Sequence, residues 1–346
     1  YQFEMVIPKM RIAIYGAGSL GTVLGAYLTK NGVDVDLFSH NKNHVEGLKA
    51  NGAHIIGKVD FTVKVKAYYP EERKGKYDLI FLRTKQLDNK NVVSFLKEHL
   101  EDNGDICTRQ NGLPELSVSE IVGEERTMGC AVAWGATLKG NGVSELTSEE
   151  NSRSFSLGRL NGKEDERLLR AKSILEKRCP VRIESNFIGM RFSKLLINAA
   201  FSGRSAVTGS TFGGASKRKD SRLCVQRIIK ECIDVAKAND IKIEPIQGKD
   251  VVKLLDYKNA FKRKISFRLI PLCIKKHAAL KASRLQDLEK GKKTEVDSIN
   301  GSVVLYGKKK NVPTPYNEKV IEIIHEIEQG KRKPSFDNIK EFESLK

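Results

Sequence analysis

The chain has 346 residues, is 40% hydrophobic and 30% charged, and sets 61 Lys plus Arg against 43 Asp plus Glu, for a formal charge of +18. That length favours two domains with sizeable cores, and the composition excludes a disordered or fibrous chain. No apolar run approaches the ~20 residues that span a bilayer, and residues 1–4 (YQFE) ahead of Met5 read as a frayed end or vector scar and not as an address, so a cytoplasmic protein without a membrane partner is expected.

In chain order, residues 11–15 (RIAIY) are a short apolar run of strand character, followed at once by Gly16-Ala17-Gly18-Ser19-Leu20-Gly21. A helix follows over 22–31, ending near Gly32, and 33–38 (VDVDLF) alternates as a strand. Further strands are predicted at 77–82 (YDLIFL), 105–108 and 127–132. A β-like stretch follows over 143–157, then a helix over 161–179 that closes on Pro180. This alternation predicts a parallel sheet covered by helices. Beyond Ser185 helical periods take over: 188–201, 221–239, 248–255, a long helix before Gly291, 294–309 and 315–329.

Gly16-x-Gly18-x-x-Gly21 is a weak pattern alone, but here it leaves a predicted strand and opens a helix. In that context the first glycine permits the turn and the second lets the backbone approach a pyrophosphate. The third allows helix and strand to pack closely, with the phosphates at the helix N-terminus. The expected fold class is an α/β N-terminal Rossmann domain with a parallel sheet (residues 10–184, binding NADP). An all-helical C-terminal domain (185–330) and a polar tail (331–346) that need not be ordered complete it. NAD enzymes place a carboxylate at the end of the second strand, whereas Ser39, His40, Asn41 and Lys42 stand here. A hydroxyl, an imidazole and an ammonium suit a 2′-phosphate, so NADPH is the expected cofactor, unless Asp36 is out of the expected register.

Two later segments carry chemistry. Lys194 and Asn198 are four apart and share one helix face, with Leu195, Leu196 and Ile197 filling the others. Such a lysine is commonly a solvent charge; partial desolvation would make it a general acid. Thr294-x-x-Asp297 resembles a capping box and predicts a helix starting at Glu295, where a carboxylate stays ionised in the first-turn dipole. That reads equally as a good helix start.

Six widely spaced cysteines and six histidines show no ligand spacing, so no metal is expected. Basic clusters at 217–222, 258–264, 308–310 and 331–333 are dispersed and lack interleaved stacking aromatics. They read as solvated faces whose field draws in an anionic cofactor and substrate, with no nucleic-acid partner. The apolar helices of the second half would cover either a homodimer interface or the interdomain core.

GAGSLG, Thr84-Lys85-Gln86, QNGL (110–113), KLLINAA (194–200) and SRLQD…GKKTEVDSING followed by VPTP (312–315) together resemble the ketopantoate reductase family, in order, from about residue 11 to 328. The resemblance implies a Rossmann domain, a helical domain and an active site between them. It implies that Lys194 is the catalytic acid and that Glu295 lies near it and near the cofactor. It further implies that Asn198 holds the substrate, that Ser283 contacts the substrate carboxylate, and that Lys85 and Asn111 line the nicotinamide and phosphate side. Gly135 would make a backbone contact to the cofactor. Gly16, Ala17, Gly18, Ser19, Leu20, Gly21, Ser39 and His40 complete the expected cofactor set, and Ser202 joins the substrate set.

Departures are instructive. Ser202 and Phe212 stand where many relatives have Asn, and Phe192 where a Trp is common. Ser39 and His40 replace an Arg. The expected function is NADPH-dependent reduction of a 2-keto acid, with 2-dehydropantoate first. The alternatives are another 2-keto or 2-hydroxy acid handled with NAD, or a dinucleotide sensor without turnover. The Lys194, Asn198, Ser283 and Glu295 set argues against a sensor, which has no need of a proton donor.

Overall fold

A computed structural model describes residues 10–73, 75–149, 153–246, 248–275, 279 and 281–345; the N-terminal stretch read as a frayed end lies outside them. The chain divides into two compact units. One holds the described residues up to Gln110 together with Pro114–Phe187; the other holds Asn111–Leu113 and the described residues from Ile188 onward. The sequence reading placed a boundary near Ser185 and did not separate 111–113.

In the first unit, β1 (Ile12–Tyr15), α1 (Ser19–Lys30), β2 (Val35–Phe38), α2 (Lys42–Asn51), β3 (Ala53–Gly57), β4 (Phe61–Val63) and β5 (Lys66–Tyr68) come first. After them come β6 (Tyr77–Leu82), α3 (Asn89–Glu98), β7 (Leu100–Thr108), α4 (Pro114–Val122) and β8 (Thr127–Val132). The unit ends with β9 (Ala136–Gly140), β10 (Val143–Leu146), β11 (Phe155–Gly158), α5 (Glu166–Leu175) and β12 (Val181–Ile183). Eight strands form one sheet in the order β12-β11-β8-β7-β6-β1-β2-β5. Its pairs are parallel except β8 with β11. β1 lies between β2 and β6, so the chain reverses its direction of travel across the sheet there. Ligands of such sheets bind beyond the C-terminal strand ends at that point.

β1 is apolar at every position because both its faces are buried: Ile12 and Ile14 enter one core, Ala13 and Tyr15 the other. A smaller sheet, β4-β3-β10-β9, packs on α1. The join is polar. Buried His44 on α2 bonds Thr22 Oγ1 on α1 at 2.8 Å, and its Nδ1 accepts from the Gly142 N–H at 3.2 Å. Accepting at Nδ1 puts the proton on Nε2, and burial holds the imidazole below its usual pKa and so neutral.

The second unit continues with α6 (Phe187–Ile197), α7 (Gly203–Thr208), α8 (Phe212–Lys217), α9 (Lys219–Ala238), α10 (Val251–Leu255) and α11 (Ala260–Cys273). It closes with α12 (Ser283–Glu289), α13 (Val296–Lys309) and α14 (Pro315–Glu328). α9 is its spine: Val225, Ile228, Ile229, Cys232, Val235 and Ala236 are buried along one stripe and meet α8, α10, α11, α13 and α14.

Three expectations are corrected here. The long helix expected before Gly291 is split: α11, which contains Pro271, ends at Cys273, and α12 begins at Ser283. The helix expected from Glu295 starts at Val296, with Glu295 at the cap position and Thr294 Oγ1 accepting from the Val296 N–H at 3.2 Å. The polar tail is folded. Asn338, Ile339 and Phe342 are buried, and Asn338 Nδ2 and the Ser335 N–H both donate to the Val207 carbonyl.

α2 presses against the β9–β10 turn with no room to spare. A Cβ on Gly47 would lie 2.1 Å from the backbone carbon of Asn141. Gly47→Ala should therefore cost about 1–3 kcal/mol, the range for overpacking. Chemical denaturation would read this as a lowered midpoint at unchanged slope.

Candidate active site

The candidate residues fall into two groups, one on each unit. In the first unit, Gly16 has φ +101°, and a Cβ there would strike the Arg83–Thr84 backbone at 2.8 Å. Its N–H and that of Ala17 donate to the Phe38 carbonyl, tying the turn to the end of β2. Gly21 lets α1 close onto the turn, since its Cβ would lie 2.5 Å from the Gly16 carbonyl oxygen. Gly18 is different: a Cβ there meets nothing within 4 Å, and as N-cap of α1 it offers no side-chain acceptor. The first turn of α1 carries no acidic residue. Uncapped N–H groups, the positive end of the helix dipole and an open approach at Gly18 fit the phosphates of a dinucleotide.

Ser39 follows the last residue of β2, as counted from sequence. Its Oγ accepts from the Asn41 N–H at 3.2 Å, and His40 Nε2 lies 3.3 Å from Tyr15 Oη. Asp36 is not at the strand end. Its carboxylate accepts from Tyr77 Oη at 2.8 Å and faces Arg11 at 3.8 Å. The strand end thus presents a hydroxyl and an imidazole. Lys85 is exposed at the start of a tight turn. That turn is pinned by residues to which the sequence reading gave no such role. Gln110 Nε2 donates to the Thr84 carbonyl at 2.8 Å and to Asn89 Oδ1 at 2.7 Å, and Thr108 and Asn89 both donate to Gln110 Oε1 at 3.0 Å. A glutamine between Arg109 and Asn111 gives no periodic signal of such a role. Gly135 already uses both backbone groups: its N–H donates to Ser148 Oγ at 2.7 Å and its carbonyl accepts from the Thr147 N–H.

In the second unit, Lys194 is exposed on α6 and Asn198, one turn on, is half-buried. The helix changes pitch there: Asn198–Ser202 form a π turn. The cause is a buried side chain inserted against the ladder. Arg284, only 2% exposed, donates from Nη2 to the Asn198 carbonyl and from Nη1 to Asn300 Oδ1 at 2.7 Å. Asn300 Nδ2 in turn donates to the Ala199 carbonyl at 3.3 Å and to Asn317 Oδ1 at 2.9 Å. Asn317 Nδ2 donates to Glu231 Oε2 at 2.7 Å, and the Tyr316 and Asn317 N–H groups donate to the same carboxylate. Burial pushes the Arg284 guanidinium down to about 10, opposed by the Glu295 charge. It pushes the Glu231 carboxyl up to about 7, against the three donors that favour its ionised form.

Ser283 precedes Arg284 as the first residue of α12, so the guanidinium fixes the backbone that carries Ser283 relative to the π turn that carries Asn198. Ser202 closes that turn and is buried. Glu295 is half-buried, and its Oε2 accepts from Asn111 Nδ2 at 2.8 Å. The helical unit thus brings together Lys194, Asn198, Ser202 and the helix bearing Ser283, and it also holds the Asn111–Glu295 pair. Among the described residues no cluster of His, Cys, Asp or Glu could hold a metal, and no helix is long and apolar enough to cross a membrane.

The sequence matches the family described as Ketopantoate reductase PanE/ApbA over residues 12–162, and that family's C-terminal region over 186–328. A 2-dehydropantoate 2-reductase of Lactococcus lactis subsp. lactis is 26% identical over 326 residues, covering 92% of this chain and 98% of the relative. Two solved structures share the fold. A PanE/ApbA family ketopantoate reductase from Ralstonia eutropha JMP134 has TM-score 0.76 at 22% identity, covering 93% of this chain and 99% of that one. A D-mandelate dehydrogenase bound to NADH and anilino(oxo)acetate has TM-score 0.74 at 23% identity over the same shares.

Glu231 gives a stability signature. Its carboxyl holds a proton more tightly folded, at about 7, than at its ordinary 4.5. The folded state binds the extra proton, so the contribution is full below about pH 4.5 and is lost as pH rises through about 7. The loss is up to about 3 kcal/mol. Unfolding free energies measured from pH 4.5 to 8 should fall over that window, and Glu231→Gln should flatten the fall.

Proposed function

We propose that this chain, which belongs to the ketopantoate reductase family, reduces a 2-keto acid to a 2-hydroxy acid with NADPH, 2-dehydropantoate to pantoate being the first reaction to try. Bound nicotinamide supplies the hydride that the carbonyl carbon receives. Lys194 Nζ protonates the ketone oxygen as charge develops on it, and Glu295 orients that ammonium. Asn198 and Ser202 hold the keto acid, and the Ser283 hydroxyl donates to its carboxylate. The observation that carries this reading is the Arg284 clamp: one buried side chain fixes the turn bearing Asn198, next to Lys194, to the helix bearing Ser283. The relatives named 2-dehydropantoate 2-reductase support the substrate. The hydroxyl and imidazole at Ser39 and His40, with the carboxylate of Asp36 tied to Tyr77, support NADPH. The +18 charge draws both anions in.

Lys194→Ala should lower kcat by about 10²–10⁴, the usual range for general acid catalysis, with NADPH affinity little changed. Steady-state kinetics with ketopantoate and a fluorescence titration of NADPH check this, and near-normal turnover would remove the lysine from the mechanism.

Ser39→Asp should weaken NADPH and favour NADH by setting a carboxylate where a 2′-phosphate would lie. The kcat/KM ratio of the two cofactors in wild type and variant reads this. A wild type that already prefers NADH would turn the reading toward an NAD-dependent oxidoreductase.

A further inference from the structure

We propose that α11 is an interfacial helix whose outer face docks on an anionic lipid surface. The proposal is independent of the reductase reading. It needs no membrane span, because a helix lying in the plane of the interface buries only one face. The expectation of no membrane partner rested on the absence of a span.

The inner face of α11 is fixed to the helical unit. Ser266 Oγ donates to the Leu255 carbonyl at 2.8 Å, and Gln226 Nε2 on α9 donates to the Arg263 carbonyl at 2.7 Å. Ile270 is fully buried, and Asn259 Oδ1 caps the helix by accepting from the Lys262 N–H at 2.9 Å. The outer face is therefore presented in one orientation. Phe261, Ile265 and Leu272 recur at i, i+4 and i+11, which at about 3.6 residues per turn sets them in one stripe. They are 75%, 37% and 61% exposed, three of the six large apolar side chains that the described surface leaves open. Single exposed apolar residues need no explanation, whereas a stripe of them on one anchored helix does.

Charge identifies the occupant. Residues 257–286 hold nine Lys or Arg and no Asp or Glu. Lys258, Lys262, Arg263, Lys264, Arg268 and Lys275 are all exposed, and among the described residues none pairs with a carboxylate. Elsewhere exposed lysines do pair, as Lys49 with Glu72, Lys66 with Asp34 and Lys139 with Glu145. Counting about 100° per residue, Lys262 and Lys264 flank the stripe on either side and Arg268 lies within it. An apolar stripe edged by cations matches the depth profile of an anionic bilayer surface, with phosphates outside and hydrocarbon below. Long stems let the charges stay at the phosphates while the stripe goes deeper. A second copy fits badly, since a two-fold contact would set this cation-rich face against itself. Nucleic acid would meet the cations but leave Ile265 and Leu272 without a partner.

Co-sedimentation of the full chain with phosphatidylcholine vesicles, with and without about 30% phosphatidylglycerol, tests this. The anionic vesicles should bind at least about tenfold more tightly at low salt, and the excess should shrink as salt screens it. Lys262→Glu with Lys264→Glu should weaken that binding at least about tenfold, each cation near such a surface being worth about fivefold. Phe261→Ser with Leu272→Ser, both at exposed positions, should also weaken it at least about tenfold while the melting midpoint holds. Phe261→Trp reads depth: its emission should shift to the blue on anionic vesicles and be quenched by lipids brominated along the acyl chains. Trp134, the one native tryptophan, is buried in the sheet unit and stays as constant background. Equal binding to neutral and anionic vesicles, or to neither, overturns the proposal. So does anionic binding that ignores the two serines, which leaves only the unspecific attraction of a +18 chain. Poly-glutamate or an oligonucleotide whose binding is lost in the serine variant would assign the face to an acidic protein or to nucleic acid. A dimer in sedimentation velocity that the serine variant abolishes would assign it to a second copy. Each of these outcomes would sink the lipid assignment.

Discussion

Arg284 is a cation held away from water whose bonds among the described residues go to a main-chain carbonyl and an asparagine amide oxygen. Taking such an ion out of water costs several kcal/mol unless its protons are met. The helical unit meets two of them, one at Asn300 and one at the π turn, where the Asn198 carbonyl accepts from Arg284 as well as from the Gly203 N–H, while Nε stays buried without a partner among the described residues. The irregularity in α6 and the burial of the guanidinium are therefore one arrangement. The chain of Asn300, Asn317 and Glu231 extends it to α9 and the start of α14, so the turn beside Lys194 is braced by the deepest part of the unit. Removing one member strands the others, which is why such networks hold a single geometry.

The sheet unit solves a related problem with glycine. Gly16 and Gly21 are compelled by backbone contacts that no side chain survives, while Gly18 is free of them. Two of the three glycines serve the fold, and the middle one leaves space open at the start of α1. The amide cluster of Gln110, Asn89 and Thr108 does for the Thr84–Lys85 turn what Arg284 does for Asn198. In both units a buried polar side chain fixes the backbone of a loop or turn that carries exposed or half-buried groups.

The elements that repeat a simple period were legible from residues alone: β1, the glycine turn, β2 ending before Ser39, and α9. What escaped depended on partners distant in sequence. The π turn looks like plain helix in KLLINAA because its cause, Arg284, lies 86 positions away. The Glu295 cap looked like a first turn because Thr294 and Asp297 imitate a capping box, yet the Thr294 hydroxyl accepts from Val296 and its N–H donates to Glu328. The folded tail was hidden by its charge, although Phe336, Ile339, Phe342 and Leu345 recur at every third residue, the period of the tight helix that Phe336–Phe342 form. The family motifs singled out Lys194, Asn198, Ser283 and Glu295 as candidates without giving the scaffold that holds them.

The assignment of Asn111–Leu113 to the helical unit, flanked on both sides by sheet-unit sequence, means that the polypeptide passes between units three times and not once. The two halves are laced, not strung in series. A fragment starting at Ile188 would be synthesised without the amide that meets the Glu295 carboxylate, and a fragment ending at Phe187 would carry a three-residue loop whose packing partners are missing. Fragment complementation, circular permutation and grafting of either half onto a relative therefore share one requirement: the short loop at 111–113 must travel with the helices it serves.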